Sequence, residues 1–137
     1  MNADVFLDTN VLVYAATSAP NEQDKAQRAL DLIRFEKFGT SAQVLQEFYV
    51  AAIRRVQSRI TPMEAIRWIE QFAAFPCQPI DRELVQIAIG ISGRYKISYW
   101  DAAILAAAMA LGAMVVYSED LNAGQNYASV RVINPFV

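Results

Sequence analysis

The 137-residue chain contains no histidine and only one cysteine, Cys77. Without histidine, the chain cannot carry a Ser-His-Asp triad, a Cys-His dyad or a histidine-ligated zinc site. A single cysteine excludes an internal disulfide and suits a reducing compartment, so we expect a cytoplasmic protein. Any chemistry must therefore use carboxylates, hydroxyls, amines or a hard metal ion.

The chain also lacks a strong excess of either charge and a long apolar run. Twelve basic residues against fourteen acidic ones give a net charge of −2, so any nucleic-acid binding must use local basic patches. The most apolar run, residues 102–116, is broken by Gly112 and is shorter than the roughly 20 residues that span a bilayer. Asp4 and Asp8 interrupt the apolar start of the chain, which is unlike a signal peptide. We expect one domain over residues 1–137, with no membrane association.

Short apolar segments alternate with helical patterns along the chain. Strands are predicted at 5–7, 39–41, 78–80, 113–117 and 130–133. Helix starts are indicated by Thr61 with Glu64 in a capping box, by Asp81 and by Ser98. This alternation predicts a three-layer α/β/α sandwich with a central, mostly parallel sheet of four or five short strands.

Acidic residues follow three of the predicted strands, at the edge where ligands bind in such folds, and one of them, Asp81, caps the helix after the strand at 78–80. Asp8 follows the first strand within Asp8-Thr9-Asn10, and Asp120 follows the strand at 113–117, two residues after Ser118. Each acid has a simpler explanation: Asp8 could cap the next helix, and Asp120 could lie in a solvated turn.

Two further acids lie on predicted helices. Asp101 fits the third position of a capping box that starts at Ser98, but it also shares the apolar stripe of its helix. A carboxylate buried there is costly unless it is paired, hydrogen-bonded or metal-bound. Glu47 lies away from the apolar stripe of its own helix, so periodicity places it on the surface. It becomes a site residue only if that surface borders a cleft.

Several acids near one sheet edge, with no histidine, favour a hard divalent cation such as Mg²⁺. A pair of such ions could polarise a phosphodiester, activate a water molecule and stabilise the leaving oxygen.

Four segments carry a resemblance over essentially the full chain. They are DTNVLVYA at 8–15, QEFY at 46–49, SYWDAAI at 98–104 and SEDLN at 118–122. In order and spacing they resemble the PIN-domain ribonucleases, specifically the VapC-like toxins of prokaryotic toxin–antitoxin pairs. The sequence departs from many of these relatives by having Ala123 and Gly124 where they carry a histidine, which bears on substrate preference.

The resemblance implies a PIN-like fold and a Mg²⁺- or Mn²⁺-dependent endoribonuclease. It implies Asp8 and Asp101 as the principal metal ligands, with Glu47 and Asp120 acting largely through bound water. Supporting residues would be Thr9, Asn10 and Ser118. The resemblance also implies a homodimer, an RNA substrate, and an antitoxin whose C-terminal segment lies in the groove of the toxin.

The basic residues that could contact RNA phosphates are Arg54, Arg55, Arg59, Arg94 and Lys96. They could equally be ordinary solvated surface.

Other classes remain open at this point. A catalytically silent PIN-like module that binds RNA or a protein would keep the same fold. A haloacid-dehalogenase-type phosphotransferase is disfavoured because it needs Asp-x-Asp after the first strand, and position 10 is Asn. A phospho-acceptor receiver is disfavoured because no lysine follows Lys96.

Overall fold

The computed structural model describes residues 2–137 and contains, within that range, one six-stranded sheet and six α-helices. The strands are β1 (Val5–Leu7), β2 (Phe38–Ser41), β3 (Cys77–Gln78), β4 (Val115–Tyr117), β5 (Asn126–Tyr127) and β6 (Val130–Ile133). The helices are α1 (Thr9–Thr17), α2 (Gln23–Phe35), α3 (Ala42–Arg54), α4 (Pro62–Phe72), α5 (Arg82–Tyr95) and α6 (Tyr99–Ala110). One short 3₁₀ helix lies at Pro20–Glu22.

The sheet has the order β3-β2-β1-β4-β6-β5, and only the β5–β6 pair is antiparallel. The chain moves outward from β1 to β3 and then returns to place β4 on the other side of β1. Because parallel crossovers are right-handed, α1 to α4 cover one face and α5 with α6 the other. The helix contacts agree, since α1 packs on α2 and α3, α3 packs on α4, and α5 packs on α6. The predicted three-layer α/β/α fold is confirmed.

The sheet has one strand more than predicted. β5 has only two residues, which pair with β6 through Asn126 with Arg131 and Tyr127 with Val130. A two-residue strand is too short to show an apolar pattern, and the buried ring of Tyr127 is its main anchor. The strand predicted at 78–80 lies instead at 77–78. Pro79, which has no N–H to donate to the sheet, follows directly.

The predicted helix starts are confirmed by their capping hydrogen bonds. The Thr61 hydroxyl accepts from the Glu64 N–H at 3.2 Å, and the Glu64 carboxylate accepts from the Thr61 N–H at 3.1 Å. The Asp81 carboxylate accepts from Leu84 N–H at 2.8 Å, and the Ser98 hydroxyl accepts from Asp101 N–H at 3.1 Å. These caps fix where each helix begins, and the last one places Asp101 in the first turn of α6.

α6 is the most buried helix, with every residue from 102 to 108 excluded from solvent. Five of these seven residues are alanines, and their small side chains let α6 lie close to its neighbours. A Cβ built on Gly39 of β2 would come within 2.7 Å of the Leu111 side chain and 3.1 Å of the Pro76 carbonyl oxygen.

None of the helices in residues 2–137 has the length and apolar character required to cross a bilayer.

Gly39→Ala should therefore lower the free energy of unfolding by about 1–3 kcal/mol, because the added methyl group overpacks a site bounded partly by backbone. The matched control is Gly90→Ala on α5, where an added Cβ meets nothing within 4 Å. That control should gain about 0.5–1 kcal/mol from helix propensity. Urea denaturation of both variants measures the difference, and equal stabilities would contradict the close packing of β2.

Candidate active site

The candidate site begins where the chain reverses its direction of travel across the sheet, between β1 and β4. These strands pair in parallel with Leu7 opposite Tyr117, so the next residues, Asp8 and Ser118, lie side by side. The Asp8 N–H donates to the Tyr117 carbonyl oxygen at 3.1 Å, and the Ser118 hydroxyl donates to Asp8 Oδ2 at 2.8 Å. Such a switch point is the common ligand site of open α/β sheets.

Asp8 is a buried carboxylate, with only 7% of its surface exposed. It is the N-cap residue of α1, and its Oδ1 accepts from the Thr9 N–H at 2.7 Å. Burial raises the pKa of Asp8 to about 6, and the charges of Glu47 and Asp120 add to this against the hydrogen bonds from Ser118 and Thr9. The helix-cap explanation of Asp8 is thus correct, and the same carboxylate also stands near two other acids.

Ser118 connects the two strand ends. Its buried hydroxyl donates to Asp8 and accepts from the N–H groups of Asp120 at 3.1 Å and Leu121 at 3.2 Å. A single hydroxyl therefore fixes both the Asp8 carboxylate and the turn that carries Asp120.

Two side chains in the first turn of α1 donate hydrogen bonds to two more acids, Glu47 on α3 and Asp120 in the turn after β4. The Thr9 hydroxyl donates to Glu47 Oε1 at 2.8 Å, and the Asn10 side-chain amide donates to Asp120 Oδ2 at 3.1 Å. Asn10 Oδ1 also accepts from the Glu119 N–H at 3.2 Å. Glu47 is exposed, as its position on the helix predicts, but its exposed side faces the candidate site. Asp120 is exposed as well, so both carboxylates reach solvent beside the buried Asp8.

The structure does not bring Asp101 into this group: its half-buried side chain does not line the cavity that contains Glu47 and Asp120, and only the backbone next to it is tied to Glu47. The Gln43 side-chain amide of α3 donates to Glu47 Oε2 at 3.2 Å and to the Trp100 carbonyl oxygen at 3.3 Å. This amide links the start of α6, and so the residue before Asp101, to Glu47. Gln43 is a buried polar residue that the sequence analysis missed, and its position four residues before Glu47 is the signal that could have found it.

A second cluster surrounds Glu119. Tyr14 OH donates to Glu119 Oε1 at 2.6 Å, and Lys25 Nζ donates to Glu119 Oε2 at 2.6 Å. Partial burial acts to raise the pKa of Glu119, but the hydrogen bonds from Lys25 and Tyr14 leave it below its ordinary value. No sequence pattern indicates this cluster, because its members are distant in the chain.

A cavity of about 420 Å³ opens over these residues. Its polar lining includes Thr9, Asn10, Tyr14, Glu47, Arg55, Glu119 and Asp120. The cavity is the cleft that Glu47 needs in order to act as a site residue.

Arg55 lines this cavity, but its guanidinium is already bound. Nη2 donates to both Glu22 carboxylate oxygens at 2.7 and 2.9 Å, and Nη1 donates to the Thr17 hydroxyl at 2.6 Å. Arg55 is therefore neither simple solvated surface nor a free phosphate ligand. The other candidate cations, namely Arg54, Arg59, Arg94 and Lys96, are exposed, and their contact with RNA stays a prediction.

The atoms of the site that could bind a metal ion are the oxygens of carboxylates, hydroxyls and amides, which are the ligands that a hard divalent cation prefers. Within residues 2–137, no three acidic or cysteine side chains come close enough together to hold a metal ion among them. Mg²⁺ binds through one or two carboxylates and keeps several waters, so the donor chemistry fits such an ion without a closed cage. Burial is the main cause of the raised pKa of Asp8, and a cation beside its carboxylate would compensate the buried negative charge.

The sequence model of the PIN domain matches residues 5–127. Among solved structures, the chain is similar to Mycobacterium tuberculosis VapC20, described as a sarcin-ricin loop cleaving toxin, at 20% identity and TM-score 0.67, covering 85% of this chain and 89% of that chain. It is also similar to a toxin-antitoxin complex from Klebsiella pneumoniae, at 18% identity and TM-score 0.68, covering 96% and 97%. A third similar structure is FitAcB from Neisseria gonorrhoeae, at 19% identity and TM-score 0.64, covering 96% and 98%. No curated protein matches the chain by sequence. At these identities the likeness to the solved structures establishes the fold.

The buried Asp8 carboxylate should make metal-free stability depend on pH. Its pKa of about 6 in the folded protein exceeds the unfolded value near 4, so the folded state binds the proton more tightly. The contribution of Asp8 to stability is therefore fully present below about pH 4, and about 2–3 kcal/mol of it is lost as pH rises through about 6. Asp8→Asn, which retains a good N-cap residue, should lose this dependence and be the more stable protein at pH 7.5.

Urea denaturation in EDTA at pH 4 and pH 7.5 tests this, with Asp4→Asn at an exposed position as the control. Parallel pH profiles for the wild-type and Asp8→Asn proteins would show that Asp8 ionises without penalty.

Proposed function

The chain belongs to the PIN domain family, and on this premise we propose that it is a Mg²⁺- or Mn²⁺-dependent endoribonuclease, the toxin of a type II toxin–antitoxin pair. The observation that carries the proposal is the arrangement around Asp8. A buried carboxylate lies at the switch point of the sheet, and Thr9 and Asn10 hold two further carboxylates beside it. The substrate is RNA, and the bond that is hydrolysed is the phosphodiester.

The residues that would hold the metal are Asp8 and Asp101, with Glu47 and Asp120 acting largely through water. When bound there, a divalent cation would polarise the phosphodiester and lower the pKa of a bound water.

The protein's own contribution is to orient oxygen atoms. The Ser118 hydroxyl keeps the Asp8 carboxylate in place, and the Thr9 hydroxyl keeps one oxygen of Glu47. The other oxygen of Glu47 is held by the Gln43 amide, so this exposed carboxylate is fixed at both atoms. Glu47 and Asp120 line the cavity from which a phosphodiester would approach, and either carboxylate can accept a proton from an attacking water. Fixed donors of this kind reduce the reorganisation that accompanies the reaction.

The partners follow from the same proposal. Similar structures include toxin–antitoxin complexes, which supports a cognate antitoxin for this chain. We propose that the antitoxin's C-terminal segment lies in the groove over the acids, that the protein forms a homodimer, and that it acts in the cytoplasm.

One observation favours a second candidate, a catalytically silent RNA- or protein-binding module. It is that no three acids in residues 2–137 are close enough together to hold a metal. A test of metal-dependent cleavage separates the two candidates.

We expect purified, partner-free protein to cleave a mixed cellular RNA pool in Mg²⁺ or Mn²⁺ and not in EDTA. Asp8→Asn and Asp120→Asn should each reduce the cleavage rate by about 100-fold or more, corresponding to about 3 kcal/mol of barrier height. Both variants should stay folded, because removing one of several neighbouring acids relieves repulsion.

Asp4→Asn, an exposed aspartate outside the site, is the control and should cleave like the wild type. If the folded wild-type protein cuts no RNA in either metal, the binding module becomes the better account of the site.

A further inference from the structure

Glu119 is an acidic residue that lies within the candidate site but is held differently from the other acids. It stands between Ser118 and Asp120 in the chain and lines the same cavity as Glu47 and Asp120. Each of its carboxylate oxygens has its own partner: Tyr14 OH at Oε1 and Lys25 Nζ at Oε2, both at 2.6 Å. Glu119 is thus the acid of this group that is paired with a cation.

The two partners of Glu119 are themselves fixed. Lys25 Nζ lies 3.3 Å from Tyr14 OH, 4.9 Å from the centre of the Tyr14 ring and 5.8 Å from that of Phe136. The Tyr14 and Phe136 rings meet edge to face at 5.1 Å. The Arg28 Nε–H donates to the Pro135 carbonyl oxygen at 3.2 Å, which anchors the segment that carries Phe136. Ammonium–aromatic contacts of this kind favour the cation in its place beside the carboxylate.

From this arrangement we propose that Lys25, acting with Tyr14, is a positioning residue for Glu119. It keeps the Glu119 carboxylate from acting together with the carboxylates of Asp8, Glu47 and Asp120. The inference rests on the proposed function, because it concerns how that site meets a cation and an RNA phosphate. Without the contacts from Lys25 and Tyr14, the cavity would hold one more free carboxylate, that of Glu119, beside Glu47 and Asp120. A larger negative charge attracts metal ions and repels a polyanion.

This reasoning gives effects of opposite sign for the two ligands. Lys25→Met frees Glu119 and removes a positive charge, so Mn²⁺ should bind about 3- to 10-fold more tightly. The KM for RNA should rise by a similar factor, while kcat changes by less than about two-fold, because the oriented oxygens of Asp8, Glu47 and Asp120 are untouched. General damage to the site would weaken both metal binding and RNA binding instead.

Three companion variants identify the cause. Lys25→Met combined with Glu119→Gln removes the freed carboxylate, and should return both affinities to near the wild-type values. Tyr14→Phe changes no charge but removes one of the two hydrogen bonds to the Glu119 carboxylate. It should shift the affinities for Mn²⁺ and for RNA in the same directions as Lys25→Met, by about two-fold. Lys37→Met, at an exposed lysine, controls for the loss of a positive charge elsewhere and should behave like the wild type.

The experiment measures free Mn²⁺ by electron paramagnetic resonance during titration of each protein, and steady-state cleavage of an RNA oligonucleotide that spans a site cut by the wild type. Tighter Mn²⁺ binding with a raised KM in Lys25→Met, reversed by Glu119→Gln, supports the inference. Wild-type behaviour in Lys25→Met or in Tyr14→Phe overturns it, as does a loss of both affinities that Glu119→Gln does not reverse.

The wild-type arm tests the proposed function separately. A wild-type protein that neither binds Mn²⁺ nor cleaves RNA overturns the proposed function and this inference together. A wild-type protein that does both, with unshifted variants, overturns the inference alone.

Discussion

The hydrogen bond from the Ser118 hydroxyl to the Asp8 carboxylate is the interaction on which the candidate site depends. It joins residues 110 positions apart, and it exists because β1 and β4 pair in parallel and end at the same level. The same hydroxyl accepts two N–H groups of the following turn, so the position of Asp120 depends on it as well. The sheet topology therefore does more than provide a scaffold, since it determines which acids become neighbours.

The acids of the site are oriented mainly by neutral donors. Ser118 holds Asp8, Thr9 and Gln43 hold Glu47, and Asn10 holds Asp120. A hydroxyl or an amide fixes the direction of a carboxylate without cancelling its charge, whereas a lysine does both. In residues 2–137, Glu119 is paired with a lysine, whereas Asp8, Glu47 and Asp120 form no ion pair. The charge of Glu119 is therefore compensated by Lys25, although Glu119 lines the same cavity as Glu47 and Asp120.

The sequence predicts most of the fold and part of the site, for identifiable reasons. Caps at Thr61, Asp81 and Ser98 are local signals, so the helix starts are confirmed. The positions of Asp8 and Asp120 after strands are also local, and the parallel fold then brings them to one edge. Glu47 is exposed as periodicity predicts. The cavity that makes it a candidate site residue is formed in part by other elements, which the pattern of its own helix does not show. The ion pairs of Arg55 with Glu22 and of Lys25 with Glu119 could not be predicted, because each joins residues that only the tertiary structure brings together.

The long sequence separations at the site have a consequence for the synthesis of the protein. Asp8 leaves the ribosome before β4 and the turn that follows it, because Ser118 lies 110 positions further along the chain. Until residues 115–121 emerge, Asp8 has no Ser118 to hold it, and neither Asn10 nor Tyr14 has its partner from that turn. The carboxylates of the site are therefore brought together only after β4 has been synthesised, and a nascent chain stalled before β4 carries Asp8, Asn10 and Tyr14 without Ser118, Glu119 and Asp120.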